Sequence, residues 1–201
     1  FVALDTETVS LKDQTLIGIS ISTPLDDNFF FTFYGEPDIP WPCLLPSKVR
    51  KIWHNATFDL SREVLGMWGS DIDNIDDTAI LMRVMNLPVE LSLASEYVEA
   101  STFNVKTLLD KHGVKTMREV PWEQVAWKGI CDSRVTMQLY QKYMPQVNHS
   151  HYELERRITS QLLHESHRGV LLDQPLVNTI ESELNTERTF YRDKCEEFGF
   201  N

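Results

Sequence analysis

The sequence predicts an α/β protein: a mixed sheet flanked by helices, followed by two long C-terminal helices. Three observations predict it. Runs rich in β-branched and aromatic residues crowd the front of the chain, capped segments of helical period fill the remainder, and the apolar opening run ends in two acids one residue apart, Asp5 and Glu7.

Phe1-Val-Ala-Leu-Asp5-Thr-Glu7-Thr-Val-Ser-Leu11 reads as a buried strand that delivers charge to its own carboxyl end. Residues i and i+2 of a strand share a face, so Asp5 and Glu7 point the same way. Two carboxylates side by side at the edge of a core repel each other and lose hydration, which is costly unless a cation lies between them. A divalent metal is the obvious cation, although a bare Asp-x-Glu also fits an ordinary strand end with a capping Asp.

Thr15 to Ser22 and Asn28 to Tyr34 read as two further strands joined by the turn Pro24-Leu-Asp-Asp27, so the first three strands form a meander. Gly35 to Pro46, with four prolines, is a loop. Lys51 to His54 is a short strand, Asn55 to Met67 a helix with Asn55 or Thr57 as cap, and Ile72 to Asp76 another strand. Asp77 caps the helix Thr78 to Met85, which Asn86 and Pro88 close. Ser92 to Ala100 and Asn104 to His112 are short helices, the second stopped by Gly113, and Pro121 sits where a first helical turn accepts it. Ile130 to Met144 is a longer helix ended by Pro145, with Asp132, Val135, Thr136, Leu139 and Tyr143 on one stripe. A carboxylate on an apolar stripe needs a partner.

Composition shifts after Pro145. Asn148 to Arg168 reads as a long helix stopped by Gly169, Val170 to Asp173 as extended chain, and a second long helix runs from Asp173 to about Phe198 with Pro175 in its first turn. These helices cannot both bury a face against the sheet, so they are expected to belong to a neighbouring module, dividing the chain into 1–145 and 146–201.

With 201 residues, 42% hydrophobic and 24% charged, the chain has the makeup of a soluble globular protein, and no apolar run approaches membrane-spanning length. It opens on Phe1 and not Met, which suggests a piece cut from something longer. The 19 basic and 30 acidic residues leave a net charge of -11, which excludes a basic nucleic-acid clamp. A nuclease whose local site is made attractive by bound metals remains compatible. Cys43, Cys131 and Cys195 are widely spaced and form no Cys-x-x-Cys pair, so free thiols in a reducing compartment are expected, in a cytoplasm or an organelle.

Four acids carry the chemistry: Asp5, Glu7, Asp132 and Asp59, the last in Trp53-His-Asn-Ala-Thr-Phe-Asp59-Leu. If the strand of Asp5 neighbours the one before Asp59, and the Asp132 helix packs over both, the carboxylates converge. Such hard oxygen ligands suit Mg²⁺ or Mn²⁺ and not zinc. Two such ions would activate a water and stabilise the leaving oxygen of a phosphodiester. His149 with His151 and His164 with His167 lack a completing ligand set and read as solvated helix surface. His54 reads as a packed strand-end residue, and Trp122, Trp127 and Tyr140 as aromatic core.

The chain resembles the 3′→5′ exonuclease domain of family A DNA polymerases, a member of the DEDD superfamily with a ribonuclease H-like fold. Asp5-Thr-Glu7-Thr-Val-Ser-Leu11 resembles its first motif, Asn55-Ala-Thr-Phe-Asp59 its second, and Asp132 with Val135-Thr136 its third; Asp77-Thr78 matches the Asp-Thr that opens a helix midway. The resemblance covers essentially the whole chain, since Arg168-Gly-Val-Leu-Leu-Asp173 and its flanking helices look like the connection into a polymerase domain. It implies two Mg²⁺ or Mn²⁺ ions on Asp5, Glu7, Asp59 and Asp132, a DNA substrate with a single-stranded 3′ end, and a polymerase domain in the same or a separate chain. It also implies substrate contacts from Thr6, Leu11, Asn55, Phe58 and Met117, where core packing is the competing explanation for the three apolar residues. The superfamily places a water-positioning Tyr four residues before the last Asp, or a His one residue earlier; here those positions hold Lys128 and Trp127. An ammonium repels a nearby cation and can pair with the carboxylates, so attenuated hydrolysis with metal binding retained is expected. The expected function is therefore proofreading of DNA 3′ ends. Its rivals are an inactive exonuclease fold kept as scaffold or DNA-end binder, and an RNA exonuclease of the ribonuclease D kind.

Overall fold

The structure is a computed structural model that describes residues 1–32, 48–61, 74–169 and 171–199. The expected loop 35–46, the distal part of the expected helix 55–67, residues 72 and 73 of the expected strand, the last residues of the strand 28–34, Val170 and Cys43 lie outside the described residues.

Among the described residues, five strands form one mixed sheet: β1 (Val2–Thr8), β2 (Leu16–Ser22), β3 (Asn28–Thr32), β4 (Lys51–Trp53) and β5 (Ile75–Asp77), in the order β3-β2-β1-β4-β5. The first three pair antiparallel as the expected meander, whereas β4 runs parallel to β1 and β5 parallel to β4. The central strand, β1, is therefore paired on both edges, and its side chains divide between two cores. Leu4 faces a cluster with Ile19, Trp53 and Leu163, while Ala3 packs with Ile52 and Met137 on the opposite face. Asp5 and Glu7 share the parity of Ala3, so the i, i+2 rule places them on the Met137 side.

That side is covered by a long helix. The helices of the first compact unit are α1 (Ala56–Asp59), α2 (Thr78–Val84), α3 (Leu91–Ala94), α4 (Val105–His112), α5 (Trp122–Tyr143) and α6 (His149–Arg168), with 3₁₀ turns at Ser95–Val98, Met117–Glu119 and Met144–Gln146. Helix α5 packs across β1, β2 and β3. It begins at Trp122 and not at the expected Ile130, because Gly129 does not interrupt it. A glycine inside a helix costs about 1 kcal/mol relative to alanine. Here close packing explains it: a Cβ on Gly129 would lie 2.9 Å from the Phe30 ring and 3.4 Å from Glu7 Oε1. The same ring lies over Gly18, where a Cβ would come within 2.2 Å of it. Two serines complete the small-residue surface, with Ser20 Oγ donating to the Gly129 carbonyl at 2.7 Å and Ser22 Oγ 2.8 Å from Ser133 Oγ.

Asp77 does more than the expected capping. Its buried carboxylate accepts from Ala79 N at 2.7 Å at the head of α2, and also from Asn55 N at 3.0 Å and Ala56 N at 2.8 Å at the head of α1. Asn55 is left-handed (φ 66°) and makes no side-chain cap, contrary to the sequence expectation; its Oδ1 instead accepts from Thr57 Oγ1 at 2.7 Å. The expected helix 92–100 resolves into α3 and the following 3₁₀ turn.

The first of the two long helices departs from expectation. Helix α6 buries Tyr152 and Leu163 in the cores of this unit, and the Tyr152 hydroxyl donates to Asp76 Oδ1 at 3.0 Å while accepting from Asp77 N at 3.1 Å. The compact unit thus runs from Phe1 to Arg168, and the break in contacts falls after Arg168 and not after Pro145. The second unit, Gly169 to Asn201, contains α7 (Gln174–Glu197), capped by Asp173 Oδ1 on Leu176 N with Pro175 in its first turn, as its sequence predicts.

Two predictions follow from this packing. Asp77→Ala removes a cap and strands buried N–H groups of two helices, a loss of roughly 2–5 kcal/mol readable as a lower urea midpoint. Gly129→Val drives a branched side chain into Phe30 and destabilises by about 1–3 kcal/mol despite its better helix propensity; adding Phe30→Ala recovers part of that loss.

Candidate active site

Helix α5 brings Asp132 over the carboxyl end of β1. Ligating oxygens of Asp5, Glu7 and Asp132 lie within 4.8 Å of one another, so three acids from positions 127 residues apart or closer form one cluster. Lys128, one turn before Asp132, enters it from the same helix. Its Nζ donates to Glu7 Oε1 at 2.7 Å and to Asp132 Oδ2 at 2.8 Å. The position that resembles the superfamily's tyrosine thus holds a buried ammonium bridging two of the acids.

Burial sets the electrostatics. Loss of hydration pushes the carboxyls of Asp5, Glu7 and Asp132 above their ordinary range, while Lys128 pulls all three down; Glu7, Asp132 and Asp59 add to the rise for Asp5, and Asp132 adds to it for Glu7. Burial by itself would discharge Lys128. Glu7, Asp132 and Asp5 outweigh it and hold the ammonium charged, well above the usual lysine range. One ammonium cannot satisfy three carboxylates, and two oxygens show it: among the described residues, Asp5 Oδ2 and Asp132 Oδ1 are buried without a hydrogen-bond partner. Unmade bonds of this kind are expensive for charged groups.

Asp59 stands beside this cluster at the end of α1. Its Oδ1 is held by the backbone N–H of Thr6 at 3.0 Å and by Thr6 Oγ1 at 2.5 Å. Burial raises its carboxyl to about 7, against the opposing effect of the Thr6 bonds and with a further push from Asp77. Thr6, expected from the resemblance as a substrate contact, positions this acid and also lines the cleft beside it.

Asp5, Glu7, Asp59 and Lys128 open onto a cleft of about 270 Å³ that Leu11, Asn55, Phe58 and Met117 also line. Leu11 projects into solvent, 83% exposed, whereas Met117 is buried in the core formed by Val9, Ile17 and Leu108. His54 lines the cleft with its ring fixed at both nitrogens, Nδ1 2.9 Å from Thr78 Oγ1 and Nε2 2.8 Å from the Val89 carbonyl. Trp122 and Trp127 are not core residues; they are 52% and 57% exposed, because α5 turns this side away from the sheet. Trp127, Phe103 and Lys111 wall a second cavity of about 680 Å³. Tyr140 is partly buried and donates to Asp76 Oδ2 at 2.8 Å. His149, His151 and His164 are exposed, as expected.

The donor set fits a divalent cation. It offers carboxylate oxygens alone, two of them buried and unpartnered, which suits Mg²⁺ or Mn²⁺.

No protein-family model matches the chain, and no curated protein matches it in sequence. Solved structures do match in fold. The catalytic core of RRP6 from Trypanosoma brucei superposes with a TM-score of 0.54 at 17% identity, covering 82% of this chain and 46% of that one. NrnC from Brucella melitensis, bound to pGG, superposes with a TM-score of 0.56 at 19% identity, covering 83% of this chain and 82% of that one. The chain spans about half the length of the RRP6 core it matches. The mixed five-stranded sheet with flanking helices is thus a fold that this chain shares with both proteins.

Proposed function

We propose that this chain is a metal-dependent exonuclease that removes nucleotides from the 3′ end of a single strand. The observation that carries it is the meeting of Asp5, Glu7 and Asp132, with two oxygens buried and unpartnered. The Lys128 ammonium meets only part of the charge of these acids, and a divalent cation would meet the rest. A Mg²⁺ or Mn²⁺ ion there would supply charge neutralisation at the scissile phosphate and a more acidic water. The protein's own part is to fix the ligands: β1 aims Asp5 and Glu7, α5 aims Asp132, and Thr6 holds Asp59. The fold likeness to an RRP6 catalytic core and to NrnC bound to pGG supports a nucleotide substrate.

With a net charge of -11, the surface as a whole repels a polyanion, so the strand is held by local contacts. The apolar cleft residues Leu11 and Phe58 would grip the terminal bases, while Met117, buried in the core, backs the cleft wall. Trp127 directly precedes Lys128, and Asn104 of the larger cavity precedes Val105 of the acid cleft, so upstream bases could stack on Trp127 and Phe103.

The finer reading is DNA proofreading as part of a family A polymerase, supported by the ordered motifs and by α7, whose residues are exposed throughout its own unit, apolar Leu176, Ile180 and Leu184 among them. RNA trimming of the ribonuclease D kind fits the same geometry, and neither fold neighbour is named as a polymerase part. An inactive scaffold is disfavoured by retention of all four acids.

End-labelled single-stranded DNA and RNA separate these readings. Stepwise shortening from the 3′ end is expected with Mn²⁺ or Mg²⁺ and none with chelator, and Asp5→Asn should slow it by about two to four orders of magnitude. DNA preferred over RNA favours proofreading, the reverse favours RNA trimming, and no digestion of either contradicts the nuclease reading. Lys128→Tyr should hydrolyse faster than wild type; a slower variant would show that Lys128 is no deficit. Trp127→Ala should weaken binding of an oligonucleotide by about 1–3 kcal/mol.

A further inference from the structure

We propose that Lys128 is a fixed cation standing in for one of two metal ions, so that this site binds a single divalent ion through Asp5 and Asp132. The inference rests on the nuclease reading and sharpens it. The ammonium contacts Glu7 Oε1 and Asp132 Oδ2 at ion-pair distance, and the Lys128 side chain is only 9% exposed. Those two oxygens are therefore engaged. Two other oxygens of the cluster, Asp5 Oδ2 and Asp132 Oδ1, belong to different residues, are closed to solvent and have no hydrogen-bond partner among the described residues.

Charge gives the same answer. Three carboxylates and one ammonium leave the cluster at a formal -2, which one divalent ion cancels. A second divalent ion would bring an excess of positive charge beside a buried ammonium, at a cost that grows as water is excluded. Asp59 is not counted, since it lies outside the three-acid cluster and its Oδ1 is already engaged by two donors from Thr6. Nor is Lys128 poised to leave. It is anchored in mid-helix, and the next residue, Gly129, is pressed against Phe30. A cation supplied by the chain has a further consequence: the acids stay together without metal, and the apo-protein keeps its fold.

The test is a Mn²⁺ titration of the 201-residue chain by calorimetry and by electron paramagnetic resonance, with thermal melting in EDTA alongside. Wild type is expected to bind one Mn²⁺ in this site, a signal abolished by Asp5→Asn, and to melt cooperatively in EDTA. Lys128→Met should bind two, and in EDTA it should melt roughly 6–20 °C below wild type, because one partner of a buried ion pair has been removed. Added Mn²⁺ should then restore much of that loss. Two Asp5-dependent ions in wild type would overturn the proposal and leave the nuclease reading standing, and so would a Lys128→Met protein equal to wild type in both stoichiometry and EDTA melting. No Asp5-dependent Mn²⁺ in either protein would overturn both. If Lys128→Met does not fold, the wild-type stoichiometry decides, and the neutral pair Glu7→Gln with Lys128→Met should fold in EDTA where the single variant does not.

Discussion

A buried ammonium shared by carboxylates from two elements is the constraint on which the rest of the structure turns. Lys128 and Asp132 lie one helical turn apart on α5, and Glu7 reaches them from β1. An ion pair of this kind gains little over well-packed apolar groups, yet losing one partner costs about 3–5 kcal/mol. The pairing thus fixes register more than it adds stability. It specifies which turn of α5 meets which residue of β1, and a slip of one residue along the strand would turn Glu7 to the opposite face.

The helix can come so close because the surfaces between them are small. Gly18, Ser20 and Ser22 on β2 meet Gly129 and Ser133 on α5, with the Phe30 ring covering both glycines. Larger side chains would lift the helix and draw Asp132 away from Asp5. At the β5 edge of the sheet, the Asp77 carboxylate ties the heads of α1 and α2 together, and Tyr152 of α6 locks onto Asp76 and Asp77. Those bonds hold β5 and α1 in place, and with α1 the Asp59 that faces Thr6.

Much of this was legible in the sequence, for definite reasons. The two-residue period of a strand put Asp5 and Glu7 on one face, a carboxylate on an apolar stripe marked Asp132, and the capping preference of aspartate marked the start of α2. What was not legible depends on long-range approach. Lys128 lies 121 positions from Glu7, and nothing local says that its ammonium folds inward onto it. The turns of α5 before Ile130 were missed, and only the Phe30 ring against Gly129 shows why a glycine lies inside the helix. Helix α6 reads as the start of another module because the contacts that dock it are long-range, among them the Tyr152 hydroxyl, whose partners lie 75 and 76 positions back. The exposed side of α5, with Trp127, was mistaken for core because an aromatic in a helix is usually buried.

All of these features serve one geometric claim, that acids distant along the chain meet around a bound cation. Anomalous scattering from crystals grown with Mn²⁺ tests it most directly. A manganese peak bounded by Asp5 and Asp132, with Lys128 still on Glu7, is the expected result. Crystals in which Asp5 and Asp132 stand apart on separate salt-bridge partners, with no peak between them, would contradict it.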